Sequence, residues 1–236
     1  MSVAENIVKL EERIQKACDS AGRKRDEITL MGVSKFVPIN SIEEAFHAGI
    51  NCFGESRVKE GTQKFETFRK ENSEVQLNLI GSLQRNKAKA AALFFDCIQS
   101  IDRDELIAEL AKYALLREKP LEVMLELHTG EETKSGFLNI DGLLRAAEMI
   151  LEKENLKLAG LMTMAPYTED TKVIRNSFRQ LVRARDEMEK HFQQKGALHP
   201  AGALHHLSMG MSNDFEIAIE EGSTILRIGS LIFKDC

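Results

Sequence analysis

A lysine closes the apolar run GVSKFVP at residues 32–38, and two later stretches, LSMGMS at 207–212 and LRIGS at 226–230, set glycine and serine at the ends of apolar segments. Lys35 offers an amine that attacks aldehydes when neutral, and burial favours the neutral form. Ser208 with Gly210, and Gly229 with Ser230, offer hydroxyls and closely approachable backbone amides, the groups that hold phosphate oxygens. Arg227 lies two residues before Gly229 and shares its face of an extended segment. A guanidinium turned inward there needs a ligand ring nitrogen or a carboxylate to offset its desolvation. Together these groups fit a ligand carrying an aldehyde and a phosphate. Each also has a plainer reading: Lys35 reaching solvent, the glycines making tight turns, and Arg227 in an ion pair with Glu55 or Glu126.

The elements that must position these groups follow from hydrophobic periodicity. Val3, Ile7, Leu10, Ile14 and Cys18 recur at helical spacing and predict an N-terminal helix ending near Gly22. After it, short unbroken apolar runs at 28–35, 51–56, 76–82, 97–102, 121–128, 156–164, 205–211 and 224–230 read as buried strands, separated by amphipathic helical segments. Eight alternating units with short connections predict an α/β fold, a (β/α)8 TIM barrel with an extra N-terminal helix, and a doubly wound open sheet is the alternative. No helix is expected after the last strand, so the first helix covers the barrel wall. No composition shift or linker divides the chain, which reads as one domain over 1–236. Barrel chemistry gathers at the C-terminal strand ends, where Lys35, Ser208, Arg227, Gly229 and Ser230 fall.

A net charge of -5 argues against a nucleic-acid partner. No apolar run approaches bilayer length, and the charged N-terminus lacks a signal-peptide core, so the expectation is a cytoplasmic chain with no membrane partner. Cys18, Cys52, Cys97 and Cys236 are scattered and read as reduced thiols, and His199, His205 and His206 have no companion ligand set, so no metal is expected. Gly54 to Arg57 lacks the second glycine of a nucleophile elbow, the segment ending Lys134-Ser135 lacks the glycine of a P-loop, and no G-x-G-x-x-G occurs.

The segments GVSKFVP, FGESRVKEG, LIGSLQRNK, QSID, KSG, GLMTMAP, LSMGMSNDFEIAIEEGST and LRIGSLIF occur in an order that resembles the pyridoxal phosphate homeostasis proteins, also called proline synthase co-transcribed homologues. The resemblance covers nearly the whole chain. It implies the fold-type III barrel of the alanine racemase N-terminal domain and pyridoxal 5'-phosphate (PLP) as cofactor. It further implies a Schiff base on Lys35, phosphate contacts from Ser208, Gly229 and Ser230, and Arg227 facing the pyridine nitrogen. No catalytic residue is assigned: the second tyrosine-bearing domain of the racemases is absent, and only Tyr113 and Tyr167 occur. The implied role is a monomeric PLP holder in vitamin B6 homeostasis, with PLP-dependent apoenzymes as receivers. The alternatives are a PLP-dependent racemase-like enzyme and a phosphosugar barrel whose lysine works without PLP. Ser56, Asn78, Leu127 and Lys234 depart from the family pattern, and Lys134 is a weaker candidate for a PLP or delivery contact.

Overall fold

In a computed structural model describing residues 2–130, 135–195 and 204–234, eight parallel strands pair in sequence order and close into a barrel. The N-terminal helix α1 (Val3–Ala21) precedes the first strand. Strand and helix then alternate as β1 (Thr29–Val33), α2 (Ile39–His47), β2 (Cys52–Glu55), α3 (Val58–Glu71), β3 (Gln76–Leu79), α4 (Ala88–Phe94), β4 (Cys97–Ile101) and α5 (Asp104–Ala114). The second half runs β5 (Leu121–Glu126), α6 (Ile140–Leu151), β6 (Leu156–Met162), α7 (Thr171–Gln194), β7 (His206–Ser208), α8 (Phe215–Glu220), β8 (Ile225–Ile228) and α9 (Ser230–Phe233). The alternative of an open sheet is thereby excluded, because β8 pairs with β1 with Met31 opposite Arg227.

Two of the sequence boundaries are corrected. β7 ends at Ser208 rather than near 211, because the next residues turn: Gly210 adopts φ 97°, and Asp214 accepts the Met211 N–H at 2.5 Å. A short helix, α9, does follow the last strand. It buries Ile232, whose carbonyl accepts from Asn6 Nδ2 of α1 at 3.1 Å. α1 starts in a capping box: Ser2 Oγ accepts the Glu5 N–H, and Glu5 Oε2 accepts the Ser2 N–H.

Alternation along the strands sorts side chains into two environments. Outward residues such as Phe53, Leu125, Leu226 and Ile228 join helix residues such as Phe65, Phe178 and Phe215 in one shell core. Inward residues Met31, Cys52, Cys97, Met124, Ala159 and Ile225 form a separate apolar floor inside the barrel. Burial pushes the Cys52 thiol up to about 12 and that of Cys97 well above its ordinary value, so both are inert packing groups at neutral pH.

Candidate ligand-binding site

Above the apolar floor the inward positions become polar. Gln99 and Arg227 follow the floor residues Cys97 and Ile225 on β4 and β8, Asn78 of β3 and Ser208 of β7 join them, and all four are buried. They form one chain of hydrogen bonds. Arg227 Nη1 donates to Ser208 Oγ at 2.8 Å, Ser208 Oγ donates to Gln99 Oε1 at 2.7 Å, and Gln99 Nε2 donates to Asn78 Oδ1 at 3.0 Å. Arg227 also donates to two carbonyls, Ser208 O at 2.7 Å and Thr163 O at 2.8 Å.

Arg227 therefore points inward, as alternation predicts, but not into an ion pair. Among the described residues neither Glu55 nor Glu126 salt-bridges it, and Glu55 pairs with Lys64 instead. Burial lowers the guanidinium to about 10, and the more distant Asp214 and Glu126 pull the other way. A charge carried inside the barrel on neutral acceptors alone is costly, and the bonds above leave the planar fork with donors in reserve.

Lys35 lies two residues beyond the end of β1 at the mouth. It is exposed, the plainer of its two readings from the sequence: the strand ends at Val33, and Lys35 stands in the turn that follows. The turn closes by Val37 N–H donating to Ser34 O at 3.0 Å. Phe36, at its third position, has φ 62°, a left-handed value at which a side chain costs about 1–2 kcal/mol and which glycine normally supplies.

β8 delivers Gly229 against the same strand. A Cβ at Gly229 would meet Val33 O at 3.4 Å and Val33 Cβ at 3.5 Å, ordinary contact distances, and its φ of -112° is open to any residue. Neither backbone nor packing demands glycine here, so the space above it is available to a ligand. Ser230 is exposed beside it. The mouth thus joins Lys35, Gly229 and Ser230 on neighbouring strand ends, with Arg227 and Ser208 beneath. Ser208 has its single proton committed to Gln99, so its hydroxyl faces the interior chain rather than the mouth. An amine, an open glycine turn and a buried cation without a counter-ion fit a ligand bearing an aldehyde, an anion and a ring acceptor.

Sequence reasoning missed Gln99, which bridges the polar chain, and named Glu126 only as an ion-pair partner of Arg227. Both share inward parity with floor residues, Gln99 with Cys97 and Glu126 with Met124, and that parity was the available signal. Glu126 ends β5, half-way round the closed barrel from β1. Among the described residues its carboxylate accepts only long bonds from Ser135 Oγ, at 3.3 and 3.4 Å. Burial first, then the nearby Asp102, raises it from 4.5 to about 7 against the pull of Arg227. The neutral form is therefore favoured by folding. That stabilisation is complete below the ordinary value of 4.5 and is lost as pH rises through about 7. Chemical denaturation of Glu126→Gln and parent protein across pH 4–8 is expected to show the parent losing about 2–3 kcal/mol more than the variant. Parallel curves would mean that Glu126 ionises freely.

The other departures are structural in location. Asn78 belongs to the polar chain, Leu127 lies in the shell core, and Ser56 O would be 2.3 Å from a Cβ on Gly81. Lys134 lies outside the described residues. Tyr113 sits within α5, and Tyr167 is exposed. Among the described residues no helix is long and apolar enough to cross a membrane.

The profile of the alanine racemase N-terminal domain matches residues 6–236. A pyridoxal phosphate homeostasis protein of Aquifex aeolicus is 40% identical over 235 residues, covering 100% of this chain and 99% of that one. One from Escherichia coli is 34% identical over 233 residues, covering 98% and 95%. PipY of Synechococcus elongatus, solved with PLP bound, superposes with a TM-score of 0.82 at 28% identity over 98% of this chain and 100% of that chain. Alanine racemase of E. faecalis, at 14% identity and a TM-score of 0.67, shares the fold over 58% of its length.

Proposed function

Because the chain belongs to the alanine racemase N-terminal domain family, and within it to the pyridoxal phosphate homeostasis proteins, we propose that it holds PLP covalently through Lys35 and serves PLP homeostasis without turning over a substrate. The observation that carries this reading is Arg227, a buried cation with no paired carboxylate among the described residues, set beneath the strand ends where Gly229 packs against Val33 beside Lys35. PLP supplies a reactive aldehyde, a phosphate and a pyridine nitrogen. Lys35 contributes the amine. Gly229 and Ser230 offer backbone amides to the phosphate, while Ser208 holds Arg227 in place from below. Arg227 donates to the ring nitrogen and, keeping its own charge, discourages a proton there. That makes the site a poor driver of carbanion chemistry. The protein acts in the cytoplasm as a single-domain monomer, and PLP-dependent apoenzymes are its receivers.

A racemase-like reading draws on Glu126, a carboxyl across the barrel from Lys35 that changes charge near neutrality. One experiment addresses both. Protein incubated with PLP is expected to gain an absorption band that borohydride bleaches, with a pyridoxyl group mapped to the Lys35 peptide. Incubation with L-amino acids in deuterated water is expected to give no steady α-proton exchange. An unmodified chain sinks the proposal, and sustained exchange favours the racemase-like reading.

A further inference from the structure

Behind the rim, on the shell side of β2, lies a buried ion pair that the ligand site does not use. Glu55 is fully buried, and Lys64 reaches it from α3 with its side chain 16% exposed. The pair is lopsided. Lys64 Nζ at 2.8 Å and Ser34 Oγ at 2.8 Å both donate to Glu55 Oε1, and buried Glu55 Oε2 has no partner among the described residues. Lys64 Nζ makes a second bond, to Ser34 O at 2.7 Å. That same carbonyl closes the turn by accepting from Val37. Ser34 is thus gripped by both its hydroxyl and its carbonyl, directly before Lys35. Gly61 of α3 packs against both Phe95 and the pair: a Cβ there would meet Phe95 Cζ at 2.8 Å and Glu55 Cβ and Cγ at 3.3 Å.

We propose that Glu55 and Lys64 are positioning residues that hold Ser34 outward and thereby force Lys35 to present its amine to the mouth. The geometry explains three features at once. A buried pair that leaves one carboxylate oxygen unbonded is poor as a stabilising device, since such pairs repay their desolvation only when well bonded. Its bonds converge instead on the residue before the amine. The left-handed Phe36 is a strained conformation that persists only where its surroundings over-determine it, and the Ser34 clamp does so. Lys35 has no enclosing pocket of its own, being exposed, so the backbone must supply its orientation. Condensation requires that orientation: the amine nitrogen bonds to the aldehyde carbon, and the aldehyde oxygen departs as water with both amine protons.

The inference rests on the reading that Lys35 holds PLP, so the test separates the two. Lys64→Met should slow formation of the borohydride-trapped Lys35 adduct at least tenfold. Affinity for pyridoxine 5'-phosphate, which keeps ring and phosphate but has an alcohol in place of the aldehyde, should stay within twofold. Lys64→Arg, which can still bond Glu55 and Ser34 O, should recover most of the rate. An unchanged rate in Lys64→Met overturns the proposal. So does a matching loss of pyridoxine 5'-phosphate affinity, which would mark a merely structural pair. If Lys64→Met does not fold, Ser34→Ala, which loses the hydroxyl's 2.8 Å bond to Glu55 and its longer 3.4 Å contact with Gly54 O, should give the same split at about threefold, and a parental rate there is equally fatal. Absence of an adduct on the parent protein defeats the PLP reading itself, and the clamp with it.

Discussion

Replacement of Lys35 by alanine is expected to abolish the reducible PLP adduct altogether. The side chain is exposed and makes no packing contribution, so the substitution should change stability by no more than about 0.5 kcal/mol. The loss would then be chemical, not a consequence of unfolding. Intact-mass measurement after borohydride treatment decides it: the parent gains a pyridoxyl group and the variant gains none. Weak, non-covalent PLP binding should survive, because Gly229, Ser230 and Arg227 are untouched. An undiminished adduct on the variant would move the attachment to another lysine, with Lys134 the first to map.

The second large effect is expected at Arg227. Arg227→Met removes the charge at similar volume, and loss of a hydrogen bond from a charged donor is worth about 1.5–3 kcal/mol, or roughly 10- to 150-fold in PLP affinity. Two contributions to stability oppose each other. The variant no longer buries a cation, which is favourable, and it strands acceptors on Thr163 and Ser208, which is not. Replacement of buried charge by an apolar group of similar size is often near neutral, so a melting temperature within a few degrees of the parent is expected. Arg227→Lys should fail almost as badly, because one ammonium cannot span Ser208 and Thr163 as the planar fork does. Titration of all three proteins with pyridoxine 5'-phosphate reads the effect without the covalent step. Equal affinities would remove Arg227 from the site.

Much of this arrangement was legible in the chain. Short apolar runs between amphipathic helices are what a closed parallel barrel requires, since its strands are covered on both faces. Arg227 could be aimed inward because Leu226 and Ile228 beside it are aliphatic and belong to the shell. Gln99, and the place of Glu126 two residues beyond the floor residue Met124, were hidden by the same rule applied too coarsely. A run such as LEVMLE was read as uniformly buried, yet its inward members climb from an apolar floor to a polar tier. The exposure of Lys35 depends on where β1 stops, and strand ends are set by turns such as Ser34–Val37 that composition does not mark. The clamp by Glu55 and Lys64 joins β2, α3 and the turn after β1, three places whose proximity only the closed fold creates.

The floor of Met31, Cys52, Cys97, Met124, Ala159 and Ile225 makes the barrel a cul-de-sac. Among the described residues these side chains fill the barrel behind the polar tier, so a ligand entering past Lys35 would leave by the route it entered. A receiver of the cargo would therefore have to wait at the doorway, and the residence time would be governed by the rim.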